Sequence, residues 1–208
     1  MSFKLGNTNI SELYVGNSKI AQAYLGYSLV YQQTAPGPTD EVTIGTQTWK
    51  NVNLAVDDGQ GGIYTQVVNY GQGDVTEYYY TYAAAVRVAN TVTGWHLPSQ
   101  AEFETLVLYC GGTSVAGGKL KSTFGWNEYN GQSGGGTDDY GFTGFPAGSR
   151  NNSGSYLVKG YLAYYWSSTL DGTGNRAYYL SLSYSTTQSS IGVRNLPNCH
   201  TVRLIKDT

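Results

Sequence analysis

The two histidines and two cysteines are the residues of this 208-residue chain best suited to carry out chemistry. Cys199 and His200 are adjacent, and a thiol nucleophile needs a base of this kind within hydrogen-bond reach. Successive residues of a strand point to opposite faces, so these two side chains are not expected to meet. We therefore expect His200 to be exposed and Cys199 to be buried. For His96, just before Pro98, we expect a structural role with a ring nitrogen bonded to backbone.

Neighbouring carboxylates are the other candidates for a chemical site. Asp57 with Asp58, and Asp138 with Asp139, lie in glycine-rich segments and are possible oxygen ligands for Ca²⁺. Solvated turn carboxylates are the alternative, and we favour it. The two cysteines match no metal-binding spacing. We therefore predict no catalytic residue, no metal site and no cofactor.

The segment from Tyr164 to His200 has the composition of a recognition surface over a buried scaffold. Apolar residues at positions 180, 182 and 184 alternate with serines at positions 181, 183 and 185. This period of two predicts a strand with one buried and one outward face. Tyr supplies rigid contact area while Ser, Asn and Gly supply adaptable hydrogen bonding. An ordinary exposed sheet with polar loops is the alternative, but the pattern favours binding over catalysis.

The predicted ligand contacts are tyrosines, outward serines and other polar side chains of this segment. Tyr should contribute stacking and the small polar residues should contribute hydrogen bonds. The predicted contacts are Tyr164, Asp171, Asn175, Tyr178, Ser181, Ser183, Ser185, Thr187, Asn195, Asn198 and His200.

Charge is sparse in this sequence, at 12% of residues with a net charge of −2. Such a chain has no field that attracts nucleic acid or an anionic membrane, so we predict neither as a partner. The first residues lack the apolar run of a signal peptide, and no segment has transmembrane length, so we expect synthesis in the cytosol without export. In that compartment Cys110 and Cys199 are expected to be two buried thiols, with a pairing between them as the alternative.

Residues 42–208 are predicted to form an α+β domain with two helices, short antiparallel strands and long irregular loops. One helix is expected over residues 80–89, and a second begins where Ser99 and Glu102 form a capping box. The glycine-rich region 111–160 is expected to form long loops. Strands are expected at residues 161–166, 177–185 and 201–206.

The first 31 residues contain a repeat of ten residues, in which Leu5-Gly6, Val15-Gly16 and Leu25-Gly26 occupy equivalent positions. Each unit predicts a strand, a glycine-centred turn and a second strand, so residues 1–31 should form a small β-meander that serves as an attachment module. A plain N-terminal hairpin is the alternative. Residues 32–41, which contain two prolines, are expected to be a linker.

A succession of phrases over residues 42–207 resembles the Fibrobacter succinogenes major paralogous domain of Bacteroidetes and their phages. The order of these phrases is more specific than any one of them. The phrases are Ile44-Gly45-Thr46-Gln47-Thr48-Trp49, Asn53-Leu54, Tyr82-Ala83-Ala84-Ala85, Gly94-Trp95-His96-Leu97-Pro98, Lys119-Leu120-Lys121-Ser122, Gly125-Trp126, Tyr140-Gly141-Phe142, Pro146-Ala147-Gly148, Tyr165-Trp166-Ser167-Ser168-Thr169 and Val202-Arg203.

The resemblance implies a C-type-lectin-like fold of the type shared with the formylglycine-generating enzyme. It also implies that the four tryptophans of these phrases are core anchors. Some members of the family are variable proteins of diversity-generating retroelements, whose C-terminal strands and loops form a ligand face rewritten at adenines. The cysteines that often form a family disulfide, and the cysteine pair of the related enzyme, have no counterparts here, so neither the disulfide nor the oxidative chemistry is carried over.

The N-terminal repeats resemble segments of phage tail and virion proteins. Together the resemblances imply a non-enzymatic receptor-recognition protein on a phage or prophage tail. The expected partners are a bacterial cell-surface protein or glycan and, through residues 1–31, other virion proteins, with a homo-oligomer possible. A non-diversified bacterial surface-binding protein of the same fold is the first alternative. An enzyme related to the formylglycine generators is the second.

Overall fold

The structure, a computed structural model, describes residues 40–207 and the backbone of six short strands between residues 3 and 32. Contacts within the chain divide it into two compact units, Met1–Thr39 and Asp40–Thr208.

The first unit contains three antiparallel hairpins, one in each ten-residue repeat. The strand pairs are β1 (Phe3–Leu5) with β2 (Thr8–Ile10), β3 (Tyr14–Val15) with β4 (Ser18–Lys19), and β5 (Gln22–Leu25) with β6 (Ser28–Gln32). The pairings between these described strands are those within each hairpin, and the β-meander over residues 1–31 stays a prediction. The predicted turn glycines Gly6, Gly16 and Gly26 and the linker residues 33–39 lie outside the described residues.

The second unit combines helices with short strands. Its helices are α1 (Tyr82–Ala89), α2 (Gln100–Tyr109) and α3 (Thr113–Leu120). Its strands are β7 (Glu41–Ile44), β8 (Gln47–Lys50), β9 (Ile63–Asn69), β10 (Asp74–Thr81), β11 (Trp95–His96), β12 (Glu128–Tyr129), β13 (Gln132–Ser133), β14 (Ser149–Arg150), β15 (Tyr156–Leu157), β16 (Leu162–Leu170), β17 (Arg176–Ser183), β18 (Ser189–Asn195), β19 (Cys199–His200) and β20 (Ile205–Lys206).

The strands of this unit build three sheets and one isolated hairpin. The sheets have the strand orders β15-β14-β19-β10-β9, β11-β20-β8-β7 and β16-β17-β18, and β12 pairs with β13. All pairings between these strands are antiparallel. The unit is therefore a mixed α+β domain, as predicted.

Helix α3 was not expected, because residues 111–160 were predicted to form loops. Its sequence contains Gly117 and Gly118, which weaken the intrinsic helix preference. Ala116 and Leu120 are nevertheless fully buried on one side of it, so packing against the core overrides the propensity.

The two predicted helices are present, with one boundary changed. Helix α1 starts at Tyr82 rather than at Tyr80, because Tyr80 belongs to β10 and the Thr81 side chain accepts a hydrogen bond from the Ala84 amide. At α2 both halves of the capping box between Ser99 and Glu102 are formed, as predicted.

The predicted strand over residues 201–206 is wrong as one element. His200 ends β19 in the five-stranded sheet, and Ile205 begins β20 in the four-stranded sheet. The intervening residues 201–204 are all buried and connect the two sheets. Strand β18 was not predicted, because its serines and glycine interrupt the apolar alternation.

Two large clusters of buried side chains stabilise the domain. One contains Trp49 and Trp126 and packs α2 and α3 against β16 and β17. The other contains Trp95 and Trp166 and packs around α1. All four tryptophans are buried, which confirms their predicted role as core anchors.

A buried arginine near the C-terminus links two distant segments, the end of β8 with the residues after it and the loop at Phe142. Arg203 is fully buried and donates to the backbone carbonyls of Lys50 and Phe142 and, over 2.8 Å, to Asn53 Oδ1. Asn53 in turn donates to Glu77 over 2.8 Å, so the arginine and the carboxylate are joined through an amide. In the part of the chain that the structure describes, none of the helices is long and apolar enough to span a membrane.

Candidate ligand-binding face

The three-stranded sheet β16-β17-β18 contains most of the predicted contacts, and its central strand has two different faces. Leu180 and Leu182 of β17 are buried, with exposed fractions of 0% and 1%, whereas Ser181 and Ser183 are partly exposed. This confirms the predicted orientation of the four residues. We call the side of the sheet that contains Ser181 and Ser183 the serine face.

The strand register places further residues on the serine face. Ser181 lies opposite Tyr164 on one side and Ser190 on the other, and Ala177 lies opposite Arg194. Because alternate residues share a face, Tyr179 also belongs to it. A Cβ on Gly192 would lie 2.8 Å from the Tyr179 hydroxyl, so the Tyr179 ring lies across this glycine.

Sequence reasoning missed three polar or aromatic members of this face, Tyr179, Ser190 and Arg194. The sequence pattern could have identified Tyr179, because it lies two residues before Ser181 and so points to the same side of the strand. Ser190 and Arg194 required the pairing of β17 with β18, which the sequence pattern did not reveal.

The same alternation corrects the prediction for Tyr178. It lies opposite Val193 and has the parity of Leu180, so its side chain lies on the reverse of the serine face. Tyr178 and Ser181 therefore do not belong to one surface of the sheet.

His200 was predicted to be exposed, and this is wrong. Its side chain is fully buried because β19 pairs with β10, where Tyr80 lies opposite His200, and the next residue, Thr201, bridges to Tyr165 of β16. The ring stacks on Tyr164 with centroids 4.8 Å apart and lies 4.2 Å from the Trp166 ring. Burial lowers its pKa to about 3, so the imidazole is neutral at physiological pH. Neither ring nitrogen has a hydrogen-bond partner among the described residues.

Tyr164 is also less available than predicted. It is 9% exposed and is packed against Tyr179 at a centroid distance of 5.3 Å and under the guanidinium of Arg194 at 5.8 Å. Tyr164 and His200 are thus buried residues beside the serine face, and a ligand has little access to their side chains.

Four predicted contacts lie together at one end of the sheet. Asn175 and Asn195 are exposed, and the Asn175 carbonyl accepts from the Leu196 amide over 3.3 Å. Asp171 accepts from Arg176 over 2.8 Å, and Asn198 donates to the Asn195 carbonyl over 3.1 Å. Thr173 and Arg176 bond to Asp171 and lower its pKa, so the carboxylate organises its own loop.

Ser185 and Thr187 lie at the other end of β17. The Thr187 hydroxyl donates to the Ser114 carbonyl over 3.0 Å, and the Gly118 amide donates to the Thr187 carbonyl over 2.9 Å. A Cβ on Gly117 would lie 2.1 Å from the Gln188 carbonyl oxygen. The glycines of α3 therefore allow the loop after β17 to lie directly on the helix.

The predicted contacts do not form one compact site. Strand β17 has eight residues, so its two ends are about 23 Å apart. Asp171, Asn175, Asn195 and Asn198 lie at one end, Ser185 and Thr187 lie at the other, and Ser181 and Ser183 lie between them. A single ligand that touches all of them would have to extend along the whole strand.

A buried lysine fixes the loops at the Ser185 end. Lys121 is 3% exposed, and its ammonium donates to the carbonyls of Gly134, Ser183 and Thr186 at 2.7, 2.9 and 3.2 Å. Burial lowers its pKa to about 8. Two loops that are distant in sequence are thereby held at the edge of the serine face.

A cleft of about 370 Å³ opens beside Thr187. Its wall includes Val115 and Lys119 of α3 and Asp139 from the loop before Phe142. The cleft adjoins the fixed loops and adds a concave region to this end of the sheet.

The other candidates for chemistry have structural partners. Arg87 bonds to Asp58 over 2.6 Å and lowers the pKa of that carboxyl to about 2. Asp138 accepts from the amide and hydroxyl of Thr143. No group of three or more potential metal ligands lies together in residues 40–207.

His96 has a structural role, but its partners are not backbone atoms as predicted. Its Nδ1 lies 2.7 Å from Asp207 and its Nε2 lies 2.8 Å from Glu102. Burial alone lowers the pKa of His96, but the bonds to the two carboxylates outweigh burial, so the pKa is raised.

Cys110 and Cys199 are free and buried, as favoured from the sequence. Burial raises the pKa of Cys110 to about 11 and also raises the pKa of Cys199. Both thiols are therefore protonated and poorly nucleophilic.

The fold and this face define the class of protein as an α+β domain that displays polar side chains on a three-stranded sheet. Comparison with known protein families assigns the residues of this domain to one family. Residues 42–206 match the Fibrobacter succinogenes major domain, and the chain belongs to this family. No curated protein and no solved structure matches the chain.

Proposed function

We propose that this chain is a non-enzymatic recognition protein whose serine face, with the loops at its Ser185 end, binds a ligand. One observation carries the proposal. The outward serines of β17, Ser181 and Ser183, are partly exposed, while Leu180 and Leu182, which alternate with them, are buried. Residue types on such a face can change without loss of the scaffold, which is what a variable binding surface requires.

Few bonds within the chain occupy the side chains of this face. Ser181 donates to the Ser190 carbonyl only at 3.4 Å, and Ser183 and Ser185 bond to each other at 3.1 Å. Their hydroxyls keep free capacity for a partner, because each has one donor and two acceptor positions. The buried Tyr164 ring lies beside Ser181 on the neighbouring strand, and the His200 ring stacks on it.

The side chains best suited to catalysis are not arranged for it, which favours a binding role. Both thiols are buried and protonated, His200 is buried and neutral, and His96 is bonded to two carboxylates. Gly131-Gln132-Ser133-Gly134-Gly135 has the spacing of a nucleophile turn, but Ser133 lies in the β12-β13 hairpin and its hydroxyl accepts from the Gly135 amide. None of these side chains forms a nucleophile with an adjacent base.

We further propose that the domain has a C-type-lectin-like fold and is the variable protein of a diversity-generating retroelement on a phage or prophage tail. The family supports this proposal, as does the location of the polar residues on the C-terminal strands. The ligand would be a bacterial surface protein or glycan, and the three N-terminal hairpins would attach the chain to other virion proteins. A non-diversified surface-binding protein would use the same face.

Binding of the labelled full-length chain to bacterial cells from its source population tests the recognition role. The double variant S181R/S183R places two large side chains on the serine face and should abolish cell binding while keeping the Tm. S153R, at an exposed serine of the turn between β14 and β15, is the control outside the serine face and should bind as the unaltered protein does. Equal binding by all three proteins would show that the serine face is not the ligand site.

A further inference from the structure

Three tyrosines meet near the Ser185 end of β17. The Tyr184 ring contacts the Tyr129 ring at 5.4 Å and the Tyr161 ring at 4.9 Å, both edge-to-face. Tyr129 and Tyr161 are each 44% exposed, so much of their ring surface faces solvent. We call these residues the tyrosine cluster. The predicted contacts include none of them, and two of the three precede the C-terminal stretch.

Backbone hydrogen bonds hold the cluster in place. The Tyr184 amide donates to the Tyr161 carbonyl over 2.9 Å, which joins the main chain of two members of the cluster. The Asn127 amide donates to the Gly160 carbonyl over 2.8 Å, and the Gly134 amide donates to the Asn127 carbonyl over 3.1 Å. These bonds tie the base of the β12-β13 hairpin to the turn before β16, so the rings are preorganised.

The turn that presents Tyr161 has a strained backbone. Val158 has φ 52°, a conformation that β-branched residues rarely adopt, and its side chain is 40% exposed. Its carbonyl accepts from the amides of Tyr161 and Leu162, both at 3.1 Å. Burial of the valine therefore does not offset the strain, and the bonds from the Tyr161 and Leu162 amides hold the turn in this conformation. Strain of this kind is concentrated at functional sites.

The size of the exposed rings limits what the tyrosine cluster can bind. A tyrosine presents about 250 Å² at most, so two rings at 44% exposure offer about 220 Å². A protein partner covers about 800 Å² in a standard interface. The exposed aromatic area is close to a quarter of that, and it suits a single ring-sized group.

The charge around the tyrosine cluster selects the chemistry of that group. In residues 127–136, 156–162 and 181–188 the only ionisable side chains besides tyrosine are Glu128 and Lys159, which have opposite signs. The remaining polar side chains there are amides and hydroxyls, such as Gln132 and Ser185. The Lys121 ammonium lies beneath these loops, but it is buried and its hydrogens are used by three carbonyls. The exposed surface therefore offers stacking and neutral hydrogen bonds.

We propose that the tyrosine cluster binds an uncharged pyranose ring of a bacterial surface glycan. The apolar C–H face of the sugar stacks on Tyr129 and Tyr161, and its hydroxyls bond to neighbouring amide and hydroxyl groups. This inference rests on the proposed recognition function, for which it names the ligand class. The contacts use no metal ligand, so binding survives EDTA.

An array of polysaccharides with EDTA present tests the assignment on the full-length chain. The neutral probes are mannan, dextran and galactan, and the acidic probes are polygalacturonate and polysialic acid. We expect binding to at least one neutral probe and to no acidic one. Y129A and Y161A should each weaken that binding about tenfold, whereas Y129F and Y161F, which keep the ring, should stay within about twofold.

Y109A is the matched control, because Tyr109 is a 55% exposed tyrosine on α2 outside the cluster. Three results would each overturn the inference. They are a failure to bind any neutral probe, a preference for acidic probes, and equal losses of binding in Y109A and Y129A. If S181R/S183R abolishes cell binding while Y129A and Y161A bind cells normally, the recognition function stands and the glycan assignment fails. If Y129A abolishes binding to a protein ligand alone, the assignment also fails.

Discussion

The ammonium of Lys121 donates to the main-chain carbonyl of Ser183 over 2.9 Å, at the last residue of the central strand of the serine face. The same nitrogen bonds to Gly134 and Thr186, so one buried side chain holds the two loops that border the proposed binding surface. The shape of that surface therefore depends on a residue that no ligand would touch.

Replacement of Lys121 by methionine tests this role. K121M leaves three carbonyls, those of buried Gly134 and of part-buried Ser183 and Thr186, without their donor and should destabilise the domain by about 2–4 kcal/mol. K119M is the control, because Lys119 of α3 lines the open cleft, and it should stay within about 0.5 kcal/mol. Thermal unfolding and amide exchange at Gly134, Ser183 and Thr186 measure the effect. Unchanged protection at these amides in K121M would contradict the anchoring role.

The two faces of β17 should respond differently to truncation. L180A and L182A remove fully buried side chains and should each cost about 2–5 kcal/mol. S181A and S183A should change the free energy of unfolding by no more than about 0.5 kcal/mol. Urea denaturation with an unchanged m-value gives the comparison. A large loss in S181A would mean that the serine face is part of the scaffold.

Glycine at position 117 is required by the loop that packs on α3. In G117A the new Cβ would lie 2.1 Å from the Gln188 carbonyl oxygen, so the loop after β17 must shift, at a cost of about 1–3 kcal/mol. G172A is the matched control, because nothing lies within 4 Å of a Cβ there. Similar Tm values for the two variants would show that this loop is not held against α3.

His96 should make stability depend on pH. Its pKa is raised in the folded state, so its contribution is complete below the unfolded value of about 6.5 and is lost as pH rises through the folded value. The free energy of unfolding should therefore fall slightly above pH 6.5, by no more than about 1 kcal/mol for this partly exposed pair of bonds. H96Q should remove this dependence of the unfolding free energy on pH. If H96Q keeps the full dependence, His96 is not its source.

The features visible in the sequence were those set by local rules. The capping box of α2 and the alternation of Leu180 with Ser181 depend on residues within a few positions of each other, and both were predicted correctly. The α+β class also followed from such local patterns. What failed depended on contacts between distant segments.

Long-range contacts explain each failure. Helix α3 forms despite Gly117 and Gly118 because its buried side is held by the core. His200 is buried because its strand pairs with β10 and its ring packs against Tyr164 and Trp166 of β16, and no pattern near residue 200 specifies that. The tyrosine cluster joins positions 129, 161 and 184 and was therefore invisible to a search of the C-terminal stretch.

Deep sequencing of the 3′ end of this gene in its source population is the most direct test of a diversified serine face. The account predicts substitutions at adenines in the codons of Ser181, Ser183 and Ser190, with the codons of Leu180 and Leu182 unchanged. Substitutions spread equally over the buried leucines, or a uniform 3′ end, would contradict a diversified face. In the second case the same surface would belong to a fixed surface-binding protein.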